Sequence, residues 1–154
     1  MCFDGAVNSR GAGVGVILIT PDGEMIPMAK KLDFEVTNNQ AEYEACTFGL
    51  EALRNVGAEN VTVYGDSMLV IKQASKEWEV KEDRLRLYWD YLATLSLCFG
   101  QCKFVHLQKE ENPVADVLAT LAFMWESSAQ SEVKPLILAR SRSPCYEEIR
   151  VMPV

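Results

Sequence analysis

A chain of 154 residues suits one domain with a sizeable core. With 49% hydrophobic and 24% charged residues it reads as globular, and it holds no apolar run long enough to span a bilayer and no secretory leader in "MCFDGAVNSRGAG". A net charge of −7 speaks against a phosphate partner gripped by Lys and Arg, unless several of the 22 acids belong to a metal site whose ions cancel them.

Residues 1–36 predict three strands. "MCFDGA" starts the first. "GAGVGVILIT" is the second, with Gly11, Gly13 and Gly15 at every second position, a spacing that lets backbones approach on one sheet face. "PDGE" at 21–24 is a turn. "EMIPMAKKLDF" continues as the third strand, where Pro27 points to an edge or a bulge.

The period then changes. Ala41, Ala45, Phe48, Ala52 and Val56 recur at helical spacing over 37–56, with Thr37 or Asn38 as cap and Gly57 as stop. "NVTVYG" is a fourth strand, broken by Gly65, Asp66 and Ser67 before a short helix from Met68. A further helix starts near Asp83, with Leu85, Tyr88, Leu92 and Leu95 on one stripe. "QCKFVHLQKE" is the fifth strand, and a last helix begins with Asn112 as cap and Pro113 at its first position.

The order βββαβααβα predicts an α/β fold. The first three strands should form an antiparallel meander, and the crossover helix should return strand four parallel to strand one. Residues 1–126 form the expected domain. Residues 127–154, with three of the six prolines and several serines, read as a linker or tail that orders only against a neighbour. The five cysteines, at 2, 46, 98, 102 and 145, are too irregular for a disulfide framework and argue for an intracellular, reducing compartment, cytoplasmic or nuclear.

Asp4 on strand one, Glu42 in the first turns of the crossover helix, Asp66 at the end of strand four and Asp116 early in the last helix sit on elements whose ends can converge. Without a cation such a cluster repels itself, and Mg²⁺ with its oxygen ligands relieves this. Taken one at a time, each acid has a plain structural reading: Glu42 could complete a cap with Asn39, Asp116 favours any helix start, and Asp4 before Gly5 suits a turn. Cys98, Cys102 and His106 do not make a metal site, since Gly100 separates them onto different elements and a fourth ligand is lacking.

The segments "FDGAVNSRGAGVGVIL", "TNNQAEYEACTFGL", "VYGDSMLVIKQ" and "ENPVADVLATLA" resemble, in order and spacing, the motif blocks of type 1 ribonuclease H, over roughly residues 1–125. Within that family, "TNNQAEYEA" and the "YGDS" block are similar to the ribonuclease H domain of plant gypsy-type retrotransposon polyproteins. The resemblance implies a ribonuclease H-like fold, a five-stranded mixed sheet of order 3-2-1-4-5 flanked by helices. It implies hydrolysis of the RNA strand of an RNA/DNA hybrid by a two-metal-ion mechanism, with Mg²⁺, or Mn²⁺ as substitute, held by Asp4, Glu42, Asp66 and Asp116. Thr37, Asn38 and Asn39 then map onto substrate contacts, with Gly5, Ser67, Trp78 and Lys109 beside them. A fused or associated reverse transcriptase is an implied partner.

Three departures stand out. The loop before the last helix is "HLQKEEN"; it lacks the family's loop histidine, and His106 belongs to strand five instead. The basic handle that some members use to grip the hybrid is replaced by "EWEVKED", which predicts weak binding with low salt dependence. The tail beyond Trp125 matches no part of the family's core. A non-catalytic or weakly active module that binds nucleic acid or protein therefore remains the alternative, and cleavage of double-stranded RNA or a junction is a third reading.

Overall fold

The computed structural model describes residues 1–9, 11–112, 119 and 137–148. Strands β1 (Cys2–Asn8), β2 (Gly11–Ile19) and β3 (Met25–Leu32) form the expected antiparallel meander. The β2–β3 turn closes through Gly23, which donates to Thr20 O at 2.9 Å and takes a φ of 88°, open to glycine. Helix α1 (Asn38–Asn55) crosses over to β4 (Asn60–Gly65), which lies parallel to β1 with Cys2 opposite Tyr64 and Phe3 opposite Gly65. Helices α2 (Met68–Ala74) and α3 (Asp83–Ser96) lead to β5 (Gln101–His106), parallel to β4. A 3₁₀ turn at Lys109–Glu111 follows.

The sheet order is β5-β4-β1-β2-β3-β6, the predicted order with one strand added. That strand, β6 (Ile137–Ser141), pairs parallel to β3 from Met28 to Leu32, and a helical turn, α4 (Cys145–Glu148), follows it. Both lie in the segment expected to order only against a neighbour; here the neighbour is the sheet's own edge. Pro27, opposite Ile17 in the β2–β3 ladder, falls one residue before the β6 pairing begins.

The core lies between the sheet and the α1–α3 layer. Phe3, Val14, Val16, Val63, Tyr43, Leu50, Leu85, Tyr88, Leu92 and Leu95 are its largest fully enclosed apolar side chains. The α3 stripe read from the sequence is the buried one. For α1 the stripe was too narrow at the start and too long at the end. Residues 41–47 are all buried, because the sheet, α3 and α4 enclose that stretch, whereas Val56 at the C-cap is 74% exposed. Of the predicted last helix only Asn112 and Ala119 are described, Ala119 as helical and buried; the boundary at residue 126 lies outside the described residues.

Candidate active site

Asp4 sits on β1, whose pairing with β4 ends at Phe3–Gly65. One step further along both strands stand Asp4 and Asp66, so parallel pairing alone delivers two carboxylates to the same end of the sheet. Glu42 arrives from the first turns of α1. That helix starts where the sequence predicted, with Thr37 as the cap: Thr37 Oγ1 accepts from Gln40 N at 3.2 Å, and Gln40 Oε1 accepts from Thr37 N at 2.9 Å. The cap is completed by Gln40, so Glu42 is not spent on capping. Its Oε1 instead accepts from Gly5 N at 2.7 Å, tying the helix to β1.

Gly5 makes this approach possible. A Cβ at Gly5 would lie 2.5 Å from both the carbon and the oxygen of the Ala41 carbonyl, and 2.8 Å from Glu42 N. The glycine beside Asp4 is therefore where strand and helix backbones meet.

One carboxylate oxygen each from Asp4, Glu42 and Asp66 lies within 4.8 Å of the other two. Asp4 is 4% and Glu42 7% exposed, and Asp66 is half-buried. Like charges this close and this poorly hydrated disfavour joint ionisation. Hard oxygen donors at this spacing suit a divalent cation such as Mg²⁺ or Mn²⁺, and the donor set, all carboxylate with neither thiolate nor imidazole, does not suit Zn²⁺ or copper. Asp116, the fourth expected acid, lies outside the described residues. Just before that segment, the buried Asn112 donates from Nδ2 to Phe3 O at 3.0 Å, anchoring the chain beside Asp4.

The expected substrate residues divide. Asn38 is exposed and Asn39 half-buried at the start of α1, beside Glu42 in sequence, and Thr37 is exposed as the cap. Ser67 caps α2, its Oγ accepting from Val70 N at 3.3 Å. Trp78 is 45% exposed over a cleft lined by Leu69, Gln73, Glu77, Glu79, Lys81 and Glu82. Three acids against one lysine make that cleft unsuited to gripping phosphate. Lys109 is exposed in the 3₁₀ turn, followed by Glu110 and Glu111. His106 is half-buried in β5 opposite Gly65, as a strand residue rather than a loop one.

Sequence reasoning missed Glu44. It is 0% exposed, two residues beyond Glu42 and turned to the other side of α1. Its Oε2 accepts from Cys145 N at 3.0 Å, and the Tyr88 hydroxyl and the Lys30 ammonium act on it as well. Burial raises its pKa above the ordinary Glu value, against the opposing pull of these partners. Nothing in the sequence around position 44 marks an acid as interior.

The model of the family described as "Reverse transcriptase-like" matches residues 2–122. Ribonuclease HI of Halobacterium salinarum is 36% identical over 124 residues, covering 78% of this chain and 61% of its own length. The chain thus spans about three fifths of that curated relative. The crystal structure of RNase H1 from the same archaeon superposes with a TM-score of 0.74 at 33% identity, over 79% of this chain and 93% of that one. LC11-RNase H1, solved in complex with an RNA/DNA hybrid, gives a TM-score of 0.74 at 30% identity, over 82% and 97%. The family match over residues 2–122 and these structural likenesses show that the chain belongs to the reverse transcriptase-like family of ribonuclease H-fold proteins.

Proposed function

We propose that this chain is a ribonuclease H, an endonuclease that hydrolyses the RNA strand of RNA/DNA hybrids and leaves 3′-hydroxyl and 5′-phosphate ends. The observation that carries this reading is the convergence of Asp4, Glu42 and Asp66 within 4.8 Å at the end of the parallel strand pair. The hybrid bound by LC11-RNase H1 supports the substrate class. Asp4, Glu42, Asp66 and Asp116 would hold two Mg²⁺ ions, with Mn²⁺ as substitute. When bound, such ions would supply an activated water and neutralise charge at the leaving oxygen.

The chain's own residues do the positioning. Gly5 N–H fixes the rotation of the Glu42 carboxylate against β1. Thr37, Asn38 and Asn39 read the hybrid's backbone and minor groove, where the 2′-hydroxyl marks the RNA strand. Gly5 and Ser67 border the scissile region, Lys109 meets a phosphate as a point charge, and Trp78 stacks on a sugar or base. In lineage the chain stands with plant gypsy-type retrotransposon polyproteins, acting inside the cell, in cytoplasm or nucleus. A fused or associated reverse transcriptase supplies the grip that the acidic cleft at Trp78 lacks.

That cleft and the net charge of −7 favour a second reading, a weakly active or non-catalytic module of the same fold. The test is a panel of labelled RNA/DNA hybrid, double-stranded RNA and single-stranded RNA, with Mg²⁺, Mn²⁺ or chelator, followed by analysis of the product ends. Cutting of the hybrid alone, dependent on divalent metal and leaving 5′-phosphates, is expected. Absence of cutting at high enzyme concentration would leave the module reading.

A further inference from the structure

The segment 137–148 does more than lengthen the sheet. It grips the chain on both sides of the corner where β3 turns into α1. On the β3 side, Asp33 N donates to Ser141 O at 2.8 Å, and Arg140 Nε meets Asp33 Oδ2 at 2.9 Å. On the α1 side, Cys145 N donates to Glu44 Oε2 at 3.0 Å, and Thr47 Oγ1 donates to Cys145 Sγ at 3.3 Å. The Tyr146 ring packs edge-on against Tyr88 of α3 at 4.9 Å, and Ser141 is buried with its Oγ donating to Ser143 O at 2.7 Å. The strap therefore ties down residue 33 and residues 44 and 47. Between those ties run Thr37, Asn38, Asn39 and Glu42.

We infer that the strap 137–148 is a brace that positions the Thr37–Glu42 corner, and that Glu44 is the positioning residue through which it acts on α1. The inference rests on the nuclease reading only in taking Glu42 and Thr37–Asn39 as the elements worth positioning. The family match covers residues 2–122, so the brace lies beyond the region shared through that match. Its physical logic is direct. A loop joined to a strand and a helix can hinge about both junctions; hydrogen bonds from one short segment to both sides remove that freedom. Glu44 suits the task because its carboxylate is wholly enclosed and accepts a backbone N–H from the strap. Losing it would leave the Cys145 N–H buried without its partner.

The test uses full-length protein and the variants Glu44→Gln, Glu44→Ala and Arg140→Ala, each studied well below its melting temperature. Amide exchange is followed at Gln40 and Ala41, both held by Thr37 at the helix start. Mn²⁺ affinity is followed by calorimetry. Glu44→Ala should speed exchange at Gln40 and Ala41 and weaken Mn²⁺ binding, each about tenfold, the lower end of what losing an orienting partner costs a metal site. Glu44→Gln, which keeps an acceptor oxygen, should stay close to wild type. If Glu44→Ala only lowers the melting temperature, with exchange and Mn²⁺ affinity unchanged, the strap is plain structural support and the inference falls. Should Glu44→Ala not fold, the exposed Arg140→Ala decides: faster exchange at Gln40 and Ala41 supports the brace, and unchanged exchange overturns it. Wild-type protein that binds no Mn²⁺ would contradict the nuclease reading, and amide exchange would still judge the brace.

Discussion

Glu42 and Glu44 stand two residues apart on one helix, both almost without solvent and both accepting one backbone N–H, yet they differ in the charges they face. Glu42 is turned toward Asp4 and Asp66, into a cluster of its own charge. Glu44 is turned toward a backbone N–H, a tyrosine hydroxyl and a lysine ammonium. The second arrangement is the usual one for a buried acid: a backbone hydrogen bond, a nearby cation and a pKa moved toward the neutral form. The first arrangement brings hard oxygen donors together at a spacing that suits a divalent cation. The pair separates an acid that serves the fold from an acid the fold must accommodate.

Removing one member of the cluster should give the largest effect. Asp66→Asn is expected to lower hybrid cleavage by more than about a hundredfold, beyond what outer partners of a metal site cost. Its stability without metal should equal or exceed wild type, since one repelling charge is gone, while the rise in melting temperature on adding Mg²⁺ shrinks. Cleavage assays and melting curves with and without metal read both halves. A variant that melts lower without metal would mean that Asp66 serves the fold, as Glu44 does.

Glu44→Ala is the mirror experiment. It leaves the Cys145 N–H buried without its acceptor and should destabilise by about 1–3 kcal/mol in denaturant unfolding, the usual cost of an orphaned buried partner. Its melting temperature should fall already without metal, unlike that of Asp66→Asn, and somewhat further with metal as Mn²⁺ binding weakens. Gly5→Ala attacks the seam between strand and helix. The added methyl meets the Ala41 carbonyl at 2.5 Å, so a loss of about 1–3 kcal/mol is expected, together with weaker metal binding as Glu42 is pushed away. Unchanged stability in Gly5→Ala would mean that the corner yields without strain.

The smallest effect concerns substrate grip. Counting at most two phosphate contacts, one by Lys109 and one by Lys81 of the Trp78 cleft, hybrid affinity should fall with salt at a log–log slope of only about −2, roughly 0.9 per phosphate neutralised. A slope several times steeper, measured by anisotropy, would reveal a basic surface outside the region around Trp78.

Much of this was legible in the sequence because the local signals agree with the fold. The β-rich start, the helical period after Thr37 and the glycine–aspartate break after Tyr64 marked the element order and placed three acids at element ends. Strand β6 was not legible. "ILARS" is five residues long with no alternating pattern, and its partner β3 lies more than a hundred residues earlier, so no local window contains the reason for its pairing. Glu44 was missed for a linked cause. An acid on a helix reads as solvated unless the element that covers it is known, and here the strap helps to cover it. Val56 erred the other way: it continues the helical period past the point where the helix has cleared the sheet.

The most direct measurement is the rate at which wild type and Asp66→Asn cut a labelled RNA/DNA hybrid at low salt with Mg²⁺, with chelated samples beside them. Cleavage by wild type alone, abolished by chelator, is the expected result. Cleavage that persists in Asp66→Asn or without divalent metal would contradict the claim that these converging acids are the catalytic centre.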